Sequence, residues 1–179
     1  VSQPEIERAP RLTVDGDIER APCPLADPSY NDIKVAISEV RFNNLKGASD
    51  AELRPLYAQY IGTTQPVSAL CDIRDAVATH MRDKGYLAAV QVPAQRIENG
   101  VVQMEMLYAR MTAVRVRGDA KGAEKQIEAY LGQLTGDEIF DRNRAERYLL
   151  LARDLPGYDV RLTLRPAGTA PGDLIGEVT

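Results

Sequence analysis

The sequence has one histidine and two cysteines, and these three residues are not grouped. His80 is the only histidine, and a lone helical histidine is more often a surface or half-buried side chain than a catalyst. Cys23 and Cys71 lie far apart in the chain and make a poor zinc site. Gly118 and Gly122 are too sparse to form a phosphate-binding loop. We therefore expect no enzyme, no metal and no cofactor.

The charge balance excludes further classes of function. The 179 residues include 22 basic and 26 acidic side chains, which give a net charge of −4. Because the sequence has no basic stripe that could neutralise phosphates, we expect no nucleic-acid partner. Carboxylates such as Asp72, Asp75 and Asp83 lie at helical spacing among arginines, which is typical of a solvated helix face. The sequence also has no run of about 18 apolar residues that would predict a membrane-spanning helix.

The two cysteines leave two interpretations open. Cys23 precedes the predicted first strand of the chain, and Cys71 lies in a later predicted helix. One interpretation is a pair of unrelated buried thiols. The other is a disulfide that ties the N-terminal segment to the helix, which would stabilise the fold by roughly 4 kcal/mol in the chain-entropy description. The second interpretation implies an oxidising compartment.

The elements that surround these residues occur twice. Gly85-Tyr86 begins an alternating apolar stretch that runs through Gly100, and Gly157-Tyr158 begins a similar stretch that runs through Gly172. Because the Gly-Tyr pairs and the later glycines fall at the same offset, the sequence predicts two copies of one small domain. We expect a proline-rich linker at residues 1–31, a first domain at 32–108 and a second at 109–179.

The first domain is predicted to run strand, helix, helix, strand, strand. Apolar residues alternate over 33–42 with a one-residue slip, which predicts a strand with a bulge or bend. Residues 49–52 form a capping box that should begin a short helix. A longer helix with one apolar face is predicted between a cap at residue 68 and a stop at residue 85. Residues 86–92 and 101–107 then predict two strands of a hairpin.

The second domain repeats this order. A strand is predicted at 111–117, a helix at 123–131, a longer helix after Asp141, and two strands at 158–164 and 174–178. Helices run together instead of alternating with every strand, so the predicted class is α+β. We expect two tandem β-α-α-β-β domains, each with a three-stranded sheet and two helices on one face.

Several motifs of the repeat resemble a known family. Gly85-Tyr86, then Pro93-x-Gln95, then Gly100 are similar to the first polypeptide-transport-associated (POTRA) domain of two-partner secretion transporters of the haemolysin-activator type. Leu155-Pro156-Gly157 resembles the end of the second POTRA domain of that family. The resemblance covers roughly residues 33–179 and implies tandem POTRA-like domains.

The resemblance also implies a location, partners and a covalent link. A protein of this family would lie on the periplasmic side of the bacterial outer membrane. Its partners would be a secreted client protein, handled unfolded, and an outer-membrane barrel at the C-terminal end of the same polypeptide. Many members place a disulfide close to the positions of Cys23 and Cys71, so the resemblance implies that these two cysteines are bonded.

The second strand of the POTRA fold is a free sheet edge, and such an edge is a template for another extended chain. We expect the client to add as a strand along this edge and to use a groove beside it. The predicted edge comprises Tyr86, Leu87, Ala89, Val90, Gln91 and Val92, and the predicted groove comprises Met81 and Lys84. We expect proline at Ala89 or at Gln91 to remove an edge donor and to leave the domain folded.

Two other functions remain open from the sequence. One is a pair of POTRA domains that acts as a scaffold or assembly contact in a barrel-insertion or division protein. The other is a periplasmic enzyme with a site that the sequence does not reveal.

Overall fold

The computed structural model describes residues 12–14, 22–117, 124–152, 160–169 and 172–179. They form two compact units. One lies within residues 17–108, and the other combines residues from the ranges 1–16 and 109–179. The helices are α1 (Asp50–Tyr57), α2 (Ala69–Asp83), α3 (Glu124–Leu131) and α4 (Arg142–Ala152). In chain order, the strands are β1 (Leu12–Val14), β2 (Lys34–Ile37), β3 (Glu39–Asn43), β4 (Thr63–Pro66), β5 (Ala88–Gln91), β6 (Val101–Tyr108), β7 (Arg110–Val116), β8 (Leu162–Pro166) and β9 (Asp173–Val178).

The first unit contains the predicted three-stranded sheet in the order β3-β6-β5. β6 lies in the centre, parallel to β3 and antiparallel to β5. Alternate residues of the strands pack against apolar residues of the two helices and form the core, which stabilises the unit by removing apolar area from water. This core includes Val40, Phe42, Val102, Met104 and Met106 from the sheet and Leu53, Tyr57, Ile73, Val77 and Met81 from the helices.

The helices of the first unit lie close to their predicted bounds, although Ser68, the expected cap of α2, makes no side-chain capping bond. The Ser49 hydroxyl accepts a hydrogen bond from the Glu52 N–H at 3.1 Å and so caps α1;. α1 has only eight residues and contains Pro55, consistent with the expected short helix. α2 has 15 residues and buries an apolar face that includes Leu70 and Ile73.

The predicted first strand is divided in two at Ser38. The N–H groups of Ser38 and Glu39 both donate to Gly100 O, at 2.8 and 3.3 Å. A Cβ atom at Gly100 would lie 2.6 Å from Ala36 O, so only glycine permits this close approach. Before the break, β2 leaves the main sheet and pairs antiparallel with β4. Of the two expected causes of the one-residue slip, the structure has the bend, at Ser38, where the chain passes from one sheet to the other, and no bulge.

The second unit repeats the arrangement of the first, and the predicted α+β class of tandem β-α-α-β-β domains is confirmed. Its strands β7, β9 and β8 follow the same order and directions as β3, β6 and β5. Asp141 Oδ1 accepts from the N–H groups of Asn143 (2.9 Å) and Arg144 (3.3 Å), which caps α4 as predicted. The predicted start of the strand at Tyr158 lies outside the described residues.

The second sheet has a fourth strand, which lies within the predicted linker. β1 pairs parallel with β8 through the register Leu12↔Leu162, Thr13↔Thr163 and Val14↔Leu164. The Leu12 side chain is 8% exposed and belongs to the buried residues of the structure. The segment predicted as a proline-rich linker, residues 1–31, therefore contains a paired strand with a buried residue, Leu12. A strand of three residues is too short to show an alternating pattern, and main-chain pairing does not require one.

Candidate strand-binding edge

The predicted edge strand forms an edge of the first sheet. β5 pairs with β6 on one side, and no other described strand pairs with it on the opposite side. It covers residues 88–91, which is shorter than the predicted 86–92. An unpaired strand presents a row of N–H and C=O groups to which an extended chain can bond.

The hydrogen bonds of β6 establish which of its backbone groups face β5. The Gln103 N–H donates to Gln95 Oε1 at 2.7 Å, and Gln103 O accepts from Gln95 Nε2 at 2.8 Å. Gln95 follows β5 along the same side of β6, while Glu39 N–H of β3 donates to Gly100 O on the other side. Because the backbone groups of successive strand residues point in opposite directions, odd-numbered residues of β6 face β5 and even-numbered residues face β3.

The register of β5 with β6 then determines which backbone groups of β5 point outward. The register pairs Ala89 and Gln91 with odd-numbered residues of β6, so these two residues bond within the sheet. The N–H and C=O groups of Ala88 and Val90 point away from β6, toward the open edge. Proline at Ala89 or Gln91 would therefore break the bonds between β5 and β6. The expectation that these two positions supply the edge donors is wrong, and the donors belong to Ala88 and Val90.

The side chains of the edge are less available than its backbone. Leu87, Ala89 and Val90 are all buried, with exposed fractions of 2%, 8% and 5%. Gln91 is exposed, and Tyr86 and Val92 are half-buried. The edge can therefore offer main-chain bonds to a partner, whereas among these side chains only Gln91 reaches fully into solvent. The role of these six residues in client binding stays a prediction.

Of the two residues of the predicted groove, Met81 is placed differently from that prediction, and the role of Lys84 stays a prediction. Met81 is 0% exposed and packs in the core, because it lies on the apolar face of α2, so it cannot line a surface groove. Lys84 Nζ donates to Glu52 Oε2 at 2.8 Å and to Gly47 O. Its ammonium group also lies 5.8 Å from the centre of the Tyr86 ring. Lys84 thus connects the end of α2 to the start of α1.

The only histidine joins the same cluster. His80 Nε2 lies 2.7 Å from Glu52 Oε2, the oxygen that also accepts from Lys84. These contacts lower the pKa of the Glu52 carboxyl, with the hydrogen bond from Lys84 as the largest cause and that with His80 next;. The cluster joins the two helices of the first unit, and its geometry is that of a structural ion-pair network.

The predicted disulfide is confirmed. Cys23 and Cys71 are bonded at an Sγ–Sγ distance of 2.03 Å, with their Cα atoms 5.9 Å apart. Cys71 lies in the first turn of α2, and Cys23 directly precedes the short 3₁₀ helix Pro24–Ala26. The bond fastens the segment before β2 to the helix layer of the first unit.

In the second unit, the strand equivalent to β5 is paired with a further strand on its outer side. β8 has the position in its sheet that β5 has in the first, and β1 occupies its outer side. The Arg161 N–H donates to Thr179 O and the Thr179 N–H donates to Arg161 O, so the next residue, Leu162, directs its backbone groups toward β1. The same kind of edge is thus open in one unit and paired with an added strand in the other.

The described part of the chain shows no cluster suited to a metal ion, since it contains no group of three or more histidine, cysteine, aspartate or glutamate residues that could hold one. None of its helices is long and apolar enough to cross a membrane.

Comparison with known proteins gives a family match and a structural match. The family described as POTRA domain, ShlB-type, matches residues 35–108. No curated protein sequence matches the chain. Among solved structures, CdiB from Escherichia coli has a TM-score of 0.71 at 15% identity, over 86% of this chain and 28% of that one. CdiB from Acinetobacter baumannii has a TM-score of 0.53 at 17% identity, over 82% and 30%.

A third similar structure is POTRA1-3 of the periplasmic domain of Omp85 from Anabaena. Its TM-score is 0.62 at 20% identity, over 80% of this chain and 63% of that one. At these identities the structural likenesses show the fold alone, and the chain spans less than a third of either CdiB chain.

The fold, the disulfide and the family match agree with the resemblance found in the sequence. The recognition of POTRA domains of the two-partner secretion type is confirmed, with residues 35–108 matching the family described as POTRA domain, ShlB-type.

Proposed function

We propose that this chain is the periplasmic client-binding module of an outer-membrane protein-secretion transporter. In this proposal an unfolded client adds as a strand along β5 of the first unit, and the module delivers it to a barrel of the same polypeptide. The similarity to CdiB, whose chains are more than three times as long as the part matched here, supports a larger protein of which this chain is one part. The disulfide supports an oxidising compartment such as the periplasm;.

The chemistry of the β5 edge suits a client that is unfolded and variable in sequence. Ala88 and Val90 turn their N–H and C=O groups outward, and every polypeptide has the main-chain groups that match them. Each such bond contributes about 1 kcal/mol net, so a short added strand is held reversibly. Reversible, sequence-tolerant binding is what the transfer of an extended chain requires.

The observation that carries the proposal is the pairing of β1 with β8. The outer edge of the second sheet already holds an added strand, Leu12–Val14, in parallel register with Leu162–Leu164. β5 is the equivalent strand of the first sheet, and no described strand covers it. An extended segment thus occupies one of two equivalent edges, which supports strand addition at the other.

Val90 offers a matched pair of variants that tests this edge. Val90→Pro removes the outward N–H donor together with part of the buried side chain, whereas Val90→Ala shortens the side chain and keeps the donor. The probe is a synthetic peptide of alternating valine and threonine flanked by lysines, titrated into the ¹⁵N-labelled chain. We expect the Val90→Ala variant to bind it as the original chain does, and Val90→Pro to bind about fivefold more weakly, since one bond of about 1 kcal/mol is lost.

Delivery is tested with the same pair in the complete transporter. Slower export of the client by the proline variant, and normal export by the alanine variant, would support the proposal. Equal peptide affinity and equal export by two folded variants would contradict it. That result would favour a scaffold or assembly role for the POTRA domains, as in barrel-insertion or division proteins.

A further inference from the structure

The first unit has a second open edge with a groove beside it. β3 forms the edge of the sheet opposite β5 and pairs only with β6 among the described strands. Between β3 and α1 lies a groove of about 470 Å³. Its lining comes from all five residues of β3 and from one flank of α1, including Asp50, Ala51, Arg54 and Tyr57.

β3 turns main-chain groups toward this groove. The Glu39 N–H donates to Gly100 O, so Glu39 and, by alternation, Arg41 direct their backbone groups toward β6. The N–H and C=O groups of Val40 and Phe42 then point away from β6, toward the open side of β3. An extended segment that enters the groove can therefore bond to β3 as a further strand.

The floor of the groove is aromatic and its walls are charged. The rings of Phe42 and Tyr57 lie 5.8 Å apart, centre to centre, and both side chains are buried. Burial raises the pKa of the Tyr57 hydroxyl, while Arg54 lowers it and Asp50 and Glu39 raise it. Charges of α1 and β3 thus act on the Tyr57 hydroxyl of this floor.

The charges of the walls are not all neutralised within the groove. Glu39 and Arg41 pair with each other at 3.3 Å. Asp50 is the first residue of α1, where the positive end of the helix dipole compensates a carboxylate. Arg54 is exposed and has no ion-pair partner among the residues that the structure describes. The group that complements the groove is therefore a carboxylate opposite Arg54.

We propose that the groove between β3 and α1 is a second strand-binding site of the first unit, which takes an extended client segment with an acidic side chain opposite Arg54. The inference rests on the proposed function, because the segment is taken to come from an unfolded client. The β5 edge would supply sequence-tolerant binding, and the β3 groove would add a preference for acidic segments. Together they would hold two stretches of one client on opposite edges of the same sheet.

The test uses two forms of the valine–threonine peptide, one with a central glutamate and one with a central lysine. Each is titrated into the ¹⁵N-labelled chain, and the amide signals of Val40 and Phe42 report on the groove while those of Ala88 and Val90 report on β5. We expect the glutamate peptide to bind at the groove about fivefold more tightly than the lysine peptide, the upper range for an exposed ion pair. Arg54→Glu should reverse this preference and leave β5 unchanged.

A second variant fills the groove without altering the core. Ala51 is exposed and lines the groove, so Ala51→Trp should abolish the shifts at Val40 and Phe42. Thr79→Trp, on the exposed side of α2 and outside the groove lining, should leave them unchanged. Both variants must keep the core signals of the original chain to count as folded.

The outcomes separate the two proposals. Shifts confined to the β5 amides would overturn the second site and leave the proposed function standing. Shifts confined to the β3 amides would support the second site and contradict the proposed edge. Glutamate-dependent shifts at Arg54 alone, without Val40 and Phe42, would mean that the groove binds a carboxylate but no strand. Shifts at neither edge would overturn both proposals.

Discussion

The side-chain amide of Gln95 completes the sheet beside the backbone of Gln103. The Gln103 N–H donates to Gln95 Oε1 at 2.7 Å, and Gln103 O accepts from Gln95 Nε2 at 2.8 Å. If the register Gln91↔Glu105 is continued by two residues, Pro93 lies opposite Gln103, and proline has no N–H to donate. Gln95 Nε2 supplies the donor that Pro93 lacks, and Gln95 Oε1 accepts from the Gln103 N–H while Pro93 O itself accepts from Gln95 Nε2 at 3.2 Å. This arrangement accounts for the pattern of proline, any residue, glutamine.

We predict that Gln95→Ala lowers the free energy of unfolding of the first unit by about 1–3 kcal/mol, because two half-buried backbone groups of Gln103 lose their partners. Gln95→Glu should cost at least as much at pH 7, since it keeps the acceptor but replaces the donor with a carboxylate oxygen that faces Gln103 O;. Gln91→Ala, which removes an exposed side chain, serves as the control and should stay within about 0.5 kcal/mol of the original chain. Urea denaturation followed by amide NMR measures all three, and an equal effect of Gln95→Ala and Gln91→Ala would contradict the prediction.

The sequence predicted the elements that have a strong apolar period or a complete cap. α2 carries an apolar residue on each turn of one face, and Ser49 with Glu52 marks the first turn of α1. Both signals are local, so no knowledge of the tertiary fold is needed to interpret them. The repeat then extended the prediction to the second unit, because the same order of elements has to bury the same faces.

The elements that were missed depend on contacts distant in sequence. β4, with the sequence Thr-Thr-Gln-Pro, has no apolar alternation and is a strand only because it pairs with β2. β1 likewise depends on β8. The break at Ser38 depends on Gly100, which lies more than sixty residues later.

The candidate site was predicted in part for the same reason. The sequence located the strand but not its outward-facing residues, which follow from the hydrogen bonds of Gln103 on β6. It also placed Met81 in a surface groove, although Met81 lies at the spacing of the apolar face of α2. The structure places Met81 on that face, since a residue with 0% exposure belongs to the core.

Removal of the disulfide should destabilise the first unit strongly. Cys23 and Cys71 are 48 residues apart, and a loop of that size corresponds to roughly 4 kcal/mol of lost chain entropy in the unfolded state. We predict a loss of about 2–4 kcal/mol for the Cys23→Ala/Cys71→Ala variant, measured by urea denaturation. The single variant Cys23→Ala, which cannot form the bond, should lose nearly as much stability. Its remaining thiol is alkylated only after the protein has unfolded. Unchanged unfolding midpoints in both variants would show that the bond contributes little.

The contacts of Glu52 predict a dependence of stability on pH. The hydrogen bonds from Lys84 and His80 hold the pKa of Glu52 below its ordinary value of 4.5. Because the folded pKa lies below the unfolded one, ionised Glu52 stabilises the fold above pH 4.5, and this contribution is lost as the pH falls through the folded pKa. The original chain should therefore be more stable than Glu52→Gln at pH 7, and the difference should shrink below pH 4.5. A difference that stays constant down to pH 3 would contradict this assignment.

The two equivalent edges should exchange amide hydrogen at different rates. Val90 in β5 and Leu164 in β8 both direct their backbone groups outward, but β1 covers only β8. Amides without a partner exchange through small local openings, whereas paired ones must first lose the added strand. We predict that the Val90 amide exchanges rapidly and that the Leu164 amide is protected.

Leu12→Asp tests the cause of this difference. A charge at this buried position should release β1, because an unpaired carboxylate is costly to bury. The Leu164 amide should then exchange about as rapidly as that of Val90, while the exchange at Val90 itself stays unchanged and serves as the internal control. Equal protection of Leu164 in the two proteins would mean that β1 does not shield this edge. The pairing of β1 with β8 would then no longer support strand addition at β5.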